Sequence, residues 1–128
     1  MKKLITILLS SLMLTGCTSA GKQANTYRQI SVDEAVTMMA KETDYIILDV
    51  RRADEFASGH IPGAINVANE SIGINDIPEL PDKNQLIMVY CRSGRRSKEA
   101  AEKLVKLGYT NIVEFGGILD WKGEIATD

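Results

Sequence analysis

The feature that most constrains this chain is the passage from Leu86-Ile87-Met88-Val89-Tyr90 into Cys91-Arg92-Ser93-Gly94-Arg95-Arg96-Ser97 and then into a segment with apolar residues at Ala100, Ala101, Leu104, Val105 and Leu107. An unbroken apolar run is the mark of a strand covered on both faces, as in a parallel sheet, and the later spacing is that of an amphipathic helix. Strand, short loop and helix therefore follow one another directly, with Ser97 expected to cap the helix N-terminus. A loop of this kind aims unpaired backbone N–H groups at one point, where the helix dipole also favours negative charge. Cys91 stands at that point. The same field favours its thiolate and would stabilise a charged group carried on the sulfur. A buried cysteine usually serves as a small apolar side chain. Three arginines within the next five residues argue against that here, because burying them beside an inert thiol costs desolvation for no gain. Cys91 is the candidate nucleophile.

The rest of the chain fits an α/β pattern. Ser31-Val32-Asp33-Glu34 has the form of a capping box, and Val32, Ala35, Val36, Met39 and Ala40 continue at helical spacing. Tyr45 to Val50 is a second buried strand that delivers Asp49 and Arg51 at its end. These two are expected to form a structural ion pair. One helical turn at Ala53 to Ala57, a stop at Gly59, a turn at Pro62-Gly63 and a short strand at Ala64 to Val67 follow. His60 is the single histidine. A thiolate held by a helix N-terminus and arginines does not need an imidazole base, so His60 is expected to hold the turn. Asn69 to Leu80 reads as loop, Asn111 to Phe115 as the last strand, and Ile118 to Lys122 as a short closing helix with Trp121 packed at the core or its rim.

The first sixteen residues read as a targeting segment. Lys2 and Lys3 precede an apolar stretch from Leu4 to Leu14 that is short for a membrane span. Leu14-Thr15-Gly16-Cys17 resembles a bacterial lipobox, which implies cleavage before Cys17, a diacylglyceryl group on its sulfur, and acylation of the new amine. More than one acyl chain gives stable anchoring without a transmembrane helix. Residues 17–26 then form a flexible tether, and residues 27–128 the folded domain. The expected location is extracytoplasmic and lipid-anchored, with Thr18 rather than an aspartate after the lipidated residue. Loss of Lys2 and Lys3 moves the formal charge of −2 to −4, a surface with no claim on nucleic acid. With Cys17 lipidated, Cys91 is left as the sole thiol, so no internal disulfide forms.

Taken together, Asp49-Val50-Arg51, Glu55-Phe56, Gly59-His60-Ile61-Pro62-Gly63-Ala64-Ile65-Asn66, the loop from Cys91 to Ser97, and Gly116-Gly117-Ile118-Leu119-Asp120-Trp121 resemble a single-domain rhodanese over about residues 27 to 124. The resemblance implies a rhodanese-like α/β fold with a central parallel sheet of about five strands flanked by helices, and an active loop at the strand C-termini. It also implies that Cys91 accepts a sulfane sulfur from thiosulfate or another persulfide donor and passes it to a thiophilic acceptor, cyanide in vitro or a thiol or protein cysteine in the cell. Arg92, Ser93, Gly94, Arg95, Arg96 and Ser97 would form the persulfide-binding loop. Arg92 and Arg95 would sit at the pocket mouth, while Arg96 braces the loop through backbone carbonyls. No metal or organic cofactor is expected, and the protein is expected to act as a monomer.

Besides a purely structural lipoprotein domain, which leaves the arginine loop unexplained, two alternatives remain at this level. One is a non-enzymatic module in which Cys91 persulfidation or oxidation is sensed by a partner. The other is a phosphatase-type loop, but such loops place five residues between cysteine and arginine, whereas four separate Cys91 from Arg96.

Overall fold

The computed structural model describes residues 26–127; the leader, Cys17 and nearly all of the tether lie outside the described residues. The elements run β1 (Arg28–Gln29), α1 (Val32–Lys41), β2 (Tyr45–Asp49), α2 (Ala53–Ser58), β3 (Ile65–Asn66), β4 (Leu86–Cys91), α3 (Arg95–Lys106) and β5 (Ile112–Gly117), with 3₁₀ turns at Asn69–Ser71 and Ile118–Asp120. The five strands form one sheet in the order β1-β5-β4-β2-β3, and every pairing is parallel. This is the architecture that the apolar run of β4 requires, since all six of its residues are buried.

Alternation along β4 sorts the core into two layers. Ile87, Val89 and Cys91 face α3, together with Leu48, Ala100, Ala101, Leu104 and Ile112. Leu86, Met88 and Tyr90 face the opposite way, against Val32, Ala35, Ile61, Val113 and Phe115. Helix α1 begins as its sequence predicts: the Ser31 hydroxyl accepts from the Glu34 N–H at 3.0 Å, and the Glu34 carboxylate accepts from the Ser31 N–H at 2.8 Å. Among the described residues no helix is long and apolar enough to cross a membrane.

Three details differ from expectation. Strand β1 was not foreseen, because its two residues are exposed and carry no alternation; it exists through pairing with Val113 and Glu114 of β5. The last strand runs on to Gly117, and the closing helix is a single 3₁₀ turn. Ser97 is not the cap of α3. Gly94 takes that place with φ of 119°, a left-handed conformation open to glycine, and the helix starts two residues before Ser97.

Candidate active site

Cys91 is the last residue of β4, so its side chain is fixed by the strand on the α3 side of the sheet. Strand β5 carries an extra residue beside it: Val89 pairs with Glu114, but Cys91 pairs with Gly117. This bulge brings β5 backbone close under the loop. Gly117 is needed there, since a Cβ at that position would lie 2.0 Å from the Arg92 carbonyl oxygen. The Leu119 N–H donates to that same oxygen at 3.2 Å and ties the loop to the closing turn.

The sulfur is held from within the loop. The Gly94 N–H donates to Cys91 Sγ at 3.0 Å, and Ser97 Oγ lies 3.5 Å from it. Burial pushes the thiol pKa up, but the Ser97 hydroxyl and the backbone N–H groups of Ser97, Gly94 and Ser93 outweigh burial and hold it below the usual thiol value. No acidic residue occupies the first turn of α3; Arg95 and Arg96 stand there instead. Cations at a helix N-terminus oppose the dipole, so this arrangement suits an anion that both can attract.

Cys91 lies at the floor of an open cavity of about 360 Å³ lined by Arg52, Glu70, Arg92, Ser93, Arg95 and Arg96. The four arginines are not equivalent. Arg52 pairs with Asp54 at 3.0 Å, and Arg95 pairs with Glu99 at 3.1 Å across one turn of α3. Arg96 makes a two-pronged contact with the Glu55 carboxylate, at 2.7 and 3.1 Å. Glu55 is pulled down to a pKa of about 2, chiefly by that contact, against a smaller opposing effect of burial. Arg92 is exposed, and its guanidinium has no hydrogen bond or ion pair to another described residue. It is the cation left available to a ligand.

A rhodanese-like domain model matches residues 31–124. The chain belongs to the rhodanese-like family. It is 37% identical over 73 residues to the thiosulfate sulfurtransferase PspE of Escherichia coli (strain K12), covering 57% of this chain and 70% of that protein. It is 32% identical over 102 residues to the thiosulfate sulfurtransferase GlpE of Coxiella burnetii, covering 79% and 92%. A solved structure described as rhodanese with anions from E. coli superposes with a TM-score of 0.60 at 32% identity, covering 66% of this chain and 99% of that one.

Within this rhodanese-like frame the residues singled out in the sequence fall into two groups. Cys91 and the loop through Ser97 come together at one point. Asp49, Arg51 and His60 do not join them. Asp49 is fully buried and accepts from Arg51 Nη2 at 2.6 Å, from the Arg51 backbone N–H at 2.9 Å and from the Tyr90 hydroxyl at 2.7 Å, while Arg51 also donates to the Gly59 carbonyl. His60 Nδ1 lies 2.9 Å from the Phe56 carbonyl, its ring stacks on Phe56 at 3.8 Å, and its backbone bridges to Ala126. Trp121 is half-buried against the α1-side layer, and its indole N–H donates to the Glu124 carbonyl.

Two expectations about the loop need correction. Arg96 braces it, but through the Glu55 side chain rather than backbone carbonyls, because α2 places a carboxylate within reach of the loop. Ser97 is buried, and its hydroxyl bonds to Gly94 O at 2.9 Å and Glu114 Oε2 at 2.5 Å. Sequence reasoning missed Glu55, Arg52, Glu70 and Glu114 as members of this region. One of them left a visible trace: Glu114 interrupts the otherwise apolar Ile112-Val113-Glu114-Phe115.

Proposed function

We propose that the protein is a rhodanese-type sulfurtransferase in which Cys91 carries sulfur as a persulfide. The observation that carries this reading is the sulfur at the entrance of α3, met by the Gly94 N–H at 3.0 Å and placed at the floor of an arginine-lined cavity. The similarity to two proteins named thiosulfate sulfurtransferases supports the same class.

In the first half-reaction the Cys91 thiolate attacks the outer sulfur of a small anionic donor such as thiosulfate. The new Sγ–S bond forms as the S–S bond of the donor breaks, and sulfite leaves with the electron pair. The outer sulfur then carries the negative charge, and the backbone N–H groups of Ser93, Gly94 and Ser97, which already favour the Cys91 thiolate, would stabilise it. Arg92 attracts and orients the donor. In the second half-reaction a thiophile, cyanide in vitro or a thiol in the cell, takes the outer sulfur and leaves Cys91 as thiolate. No metal or organic cofactor takes part in these steps.

The assay is thiocyanate formation from thiosulfate and cyanide, with wild type beside Cys91→Ser and an aryl phosphate as a control substrate. Turnover in wild type and none in Cys91→Ser, with both proteins melting alike, is the expected result. Thiocyanate production retained in Cys91→Ser would remove the persulfide from the mechanism. We further propose that Cys17 anchors the domain to a bacterial membrane through lipid; Cys17→Ala would then leave the detergent phase for the aqueous one with its activity intact, and continued partition into detergent would reject the anchor.

A further inference from the structure

Glu114 is a buried charged residue that neither the sulfur-transfer steps nor the Asp49–Arg51 ion pair accounts for. Only 1% of its surface is exposed, and it stands on β5 on the same side of the sheet as Cys91. A carboxylate so placed ordinarily has a cation or several donors against it. Among the described residues Glu114 makes no ion pair; Oε2 accepts from Ser97 Oγ at 2.5 Å and from the Gly116 N–H at 2.9 Å. The groups around it do not supply a positive charge. Arg28, the neighbouring cation on β1, is bonded to Asn111. Tyr27 is a neutral phenol whose pKa is raised by burial and then by Glu102 and Glu114, and Cys91 itself is an acid.

Ser97 is the link. Its hydroxyl oxygen lies 3.5 Å from Cys91 Sγ and 2.5 Å from Glu114 Oε2, so one side chain touches both acids. A thiolate and a carboxylate joined by one hydroxyl would place two negative charges in a buried space, and a single proton between them relieves that repulsion. We propose that Cys91 and Glu114 share one proton through Ser97, and that Glu114 holds it while Cys91 acts as the nucleophile.

The transfer balances without any co-reactant. In the thiol form, which the proton leaves to give the resting thiolate, the Cys91 S–H donates to Ser97 Oγ and the Ser97 O–H donates to the Glu114 carboxylate. When the thiol proton passes to Ser97 Oγ, the Ser97 proton passes to Glu114 Oε2, and both hydrogen bonds reverse direction. The products are a Cys91 thiolate that accepts from Ser97, an unchanged Ser97 hydroxyl, and a Glu114 carboxylic acid that donates to it. Glu114 is thus a positioning residue that acts through Ser97 and touches no substrate. The inference deepens the sulfurtransferase reading, since it explains how the thiolate forms in a site where His60 is engaged elsewhere. It also keeps Glu114 neutral when a negatively charged donor arrives.

The test uses the resting protein, so it does not depend on turnover. Infrared spectra near neutral pH should show a protonated-carboxyl C=O band in wild type that is lost in Glu114→Gln and in Cys91→Ser, where the hydroxyl at position 91 keeps its own proton. Absence of the band in wild type, or its persistence in Cys91→Ser, would overturn the proposal. Alkylation of Cys91 across pH gives a second readout. With anionic iodoacetate, wild type should rise and then fall by about tenfold as the shared proton is lost and a second buried negative charge appears. Glu114→Gln should rise and stay level, and neutral iodoacetamide should show no fall with either protein. A falling limb that survives in Glu114→Gln would also overturn it. If that variant does not fold, the comparison of wild type with Cys91→Ser still decides. A protein that shares the proton but makes no thiocyanate would refute the sulfurtransferase reading and leave this one standing.

Discussion

The side of the sheet facing α1 buries Asp49, Arg51 and Tyr90, and the side facing α3 buries Cys91, Ser97 and Glu114. The first group is closed. Asp49 is met by the Arg51 guanidinium, the Arg51 N–H and the Tyr90 hydroxyl; the Tyr90 hydroxyl in turn accepts from the Ile61 N–H at 3.0 Å, and Arg51 lies over the Tyr90 ring. Each charge has its opposite, and burial with the Asp49 hydrogen bond pushes the Tyr90 pKa upward, keeping the phenol neutral. The second group has a thiol, a hydroxyl and a carboxylate with no cation bonded to them among the described residues. It borders a cavity that the first does not. Two buried polar clusters built around carboxylates on the strands either side of β4 thus differ in whether charge is balanced internally, and the unbalanced one is where a ligand's charge and a proton have work to do.

The sharpest way to break this comparison is to unbalance the closed cluster. Arg51→Ala leaves Asp49 buried without its counter-ion, and removal of one partner from such a pair costs about 3–5 kcal/mol. Thermal or denaturant unfolding should show a loss of that size, with the remaining folded fraction still transferring sulfur. Cys91→Ser should do the reverse, leaving the melt unchanged. If Arg51→Ala were as stable as wild type, the division into a structural face and a chemical face would fail.

How far this division was readable beforehand differs between its halves. The apolar run of β4 and the helical spacing after it were enough to place Cys91 at a strand end under a helix N-terminus, since period-two and period-3.6 patterns are local properties of the chain. The capping box of α1 and the Asp49–Arg51 pair are likewise short-range, spanning three residues and two. What could not be read depends on distant approach. Arg96 meets Glu55 and Ser97 meets Glu114 across 41 and 17 positions of sequence. Ser97 carries the chemistry of an N-cap residue, yet Gly94 displaced it, because a left-handed glycine was needed to turn the loop under the sulfur. Glu114 alone violated the strand's apolar pattern, and such violations mark places where function overrides packing.

The next largest effect concerns the mouth of the cavity. The Arg92 guanidinium has no partner among the described residues, whereas that of the exposed Arg95 pairs with Glu99 over one helical turn. Arg92→Ala should therefore raise the KM for thiosulfate by the equivalent of about 1–3 kcal/mol, the range for a hydrogen bond to a charged group, with little change for an uncharged persulfide donor. Arg95→Ala should raise it less, because Glu99 already answers part of that charge, and the exposed pair adds only a few tenths of a kcal/mol to stability. Steady-state kinetics with both donors would check the ranking. Equal losses for the two donors in Arg92→Ala would mean that Arg92 shapes the pocket rather than attracting charge.

The smallest effect sharpens the boundary between the faces, because Glu55 and Arg96 join α2 to the active loop with side chains about one-fifth exposed. Glu55 ionises at about 2 in the folded protein against an ordinary value of 4.5, mainly through its hydrogen bonds to Arg96. A depressed carboxylate stabilises the fold fully above its unfolded value and loses that contribution as pH falls through the folded one. The pair should thus add about 1–2 kcal/mol at neutral pH, after allowance for its partial exposure, and the gain should fade between 4.5 and about 2. Melting wild type beside Glu55→Gln over that range would show two curves separated at neutral pH and converging in acid. The same variant frees the Arg96 guanidinium and loosens the loop, so its KM for thiosulfate should fall while kcat falls with it, opposite in KM to Arg92→Ala. A constant gap between the two melting curves at every pH would mean that Glu55 stabilises α2 through its cap on the Arg52 N–H, at 3.1 Å, and not through its charge.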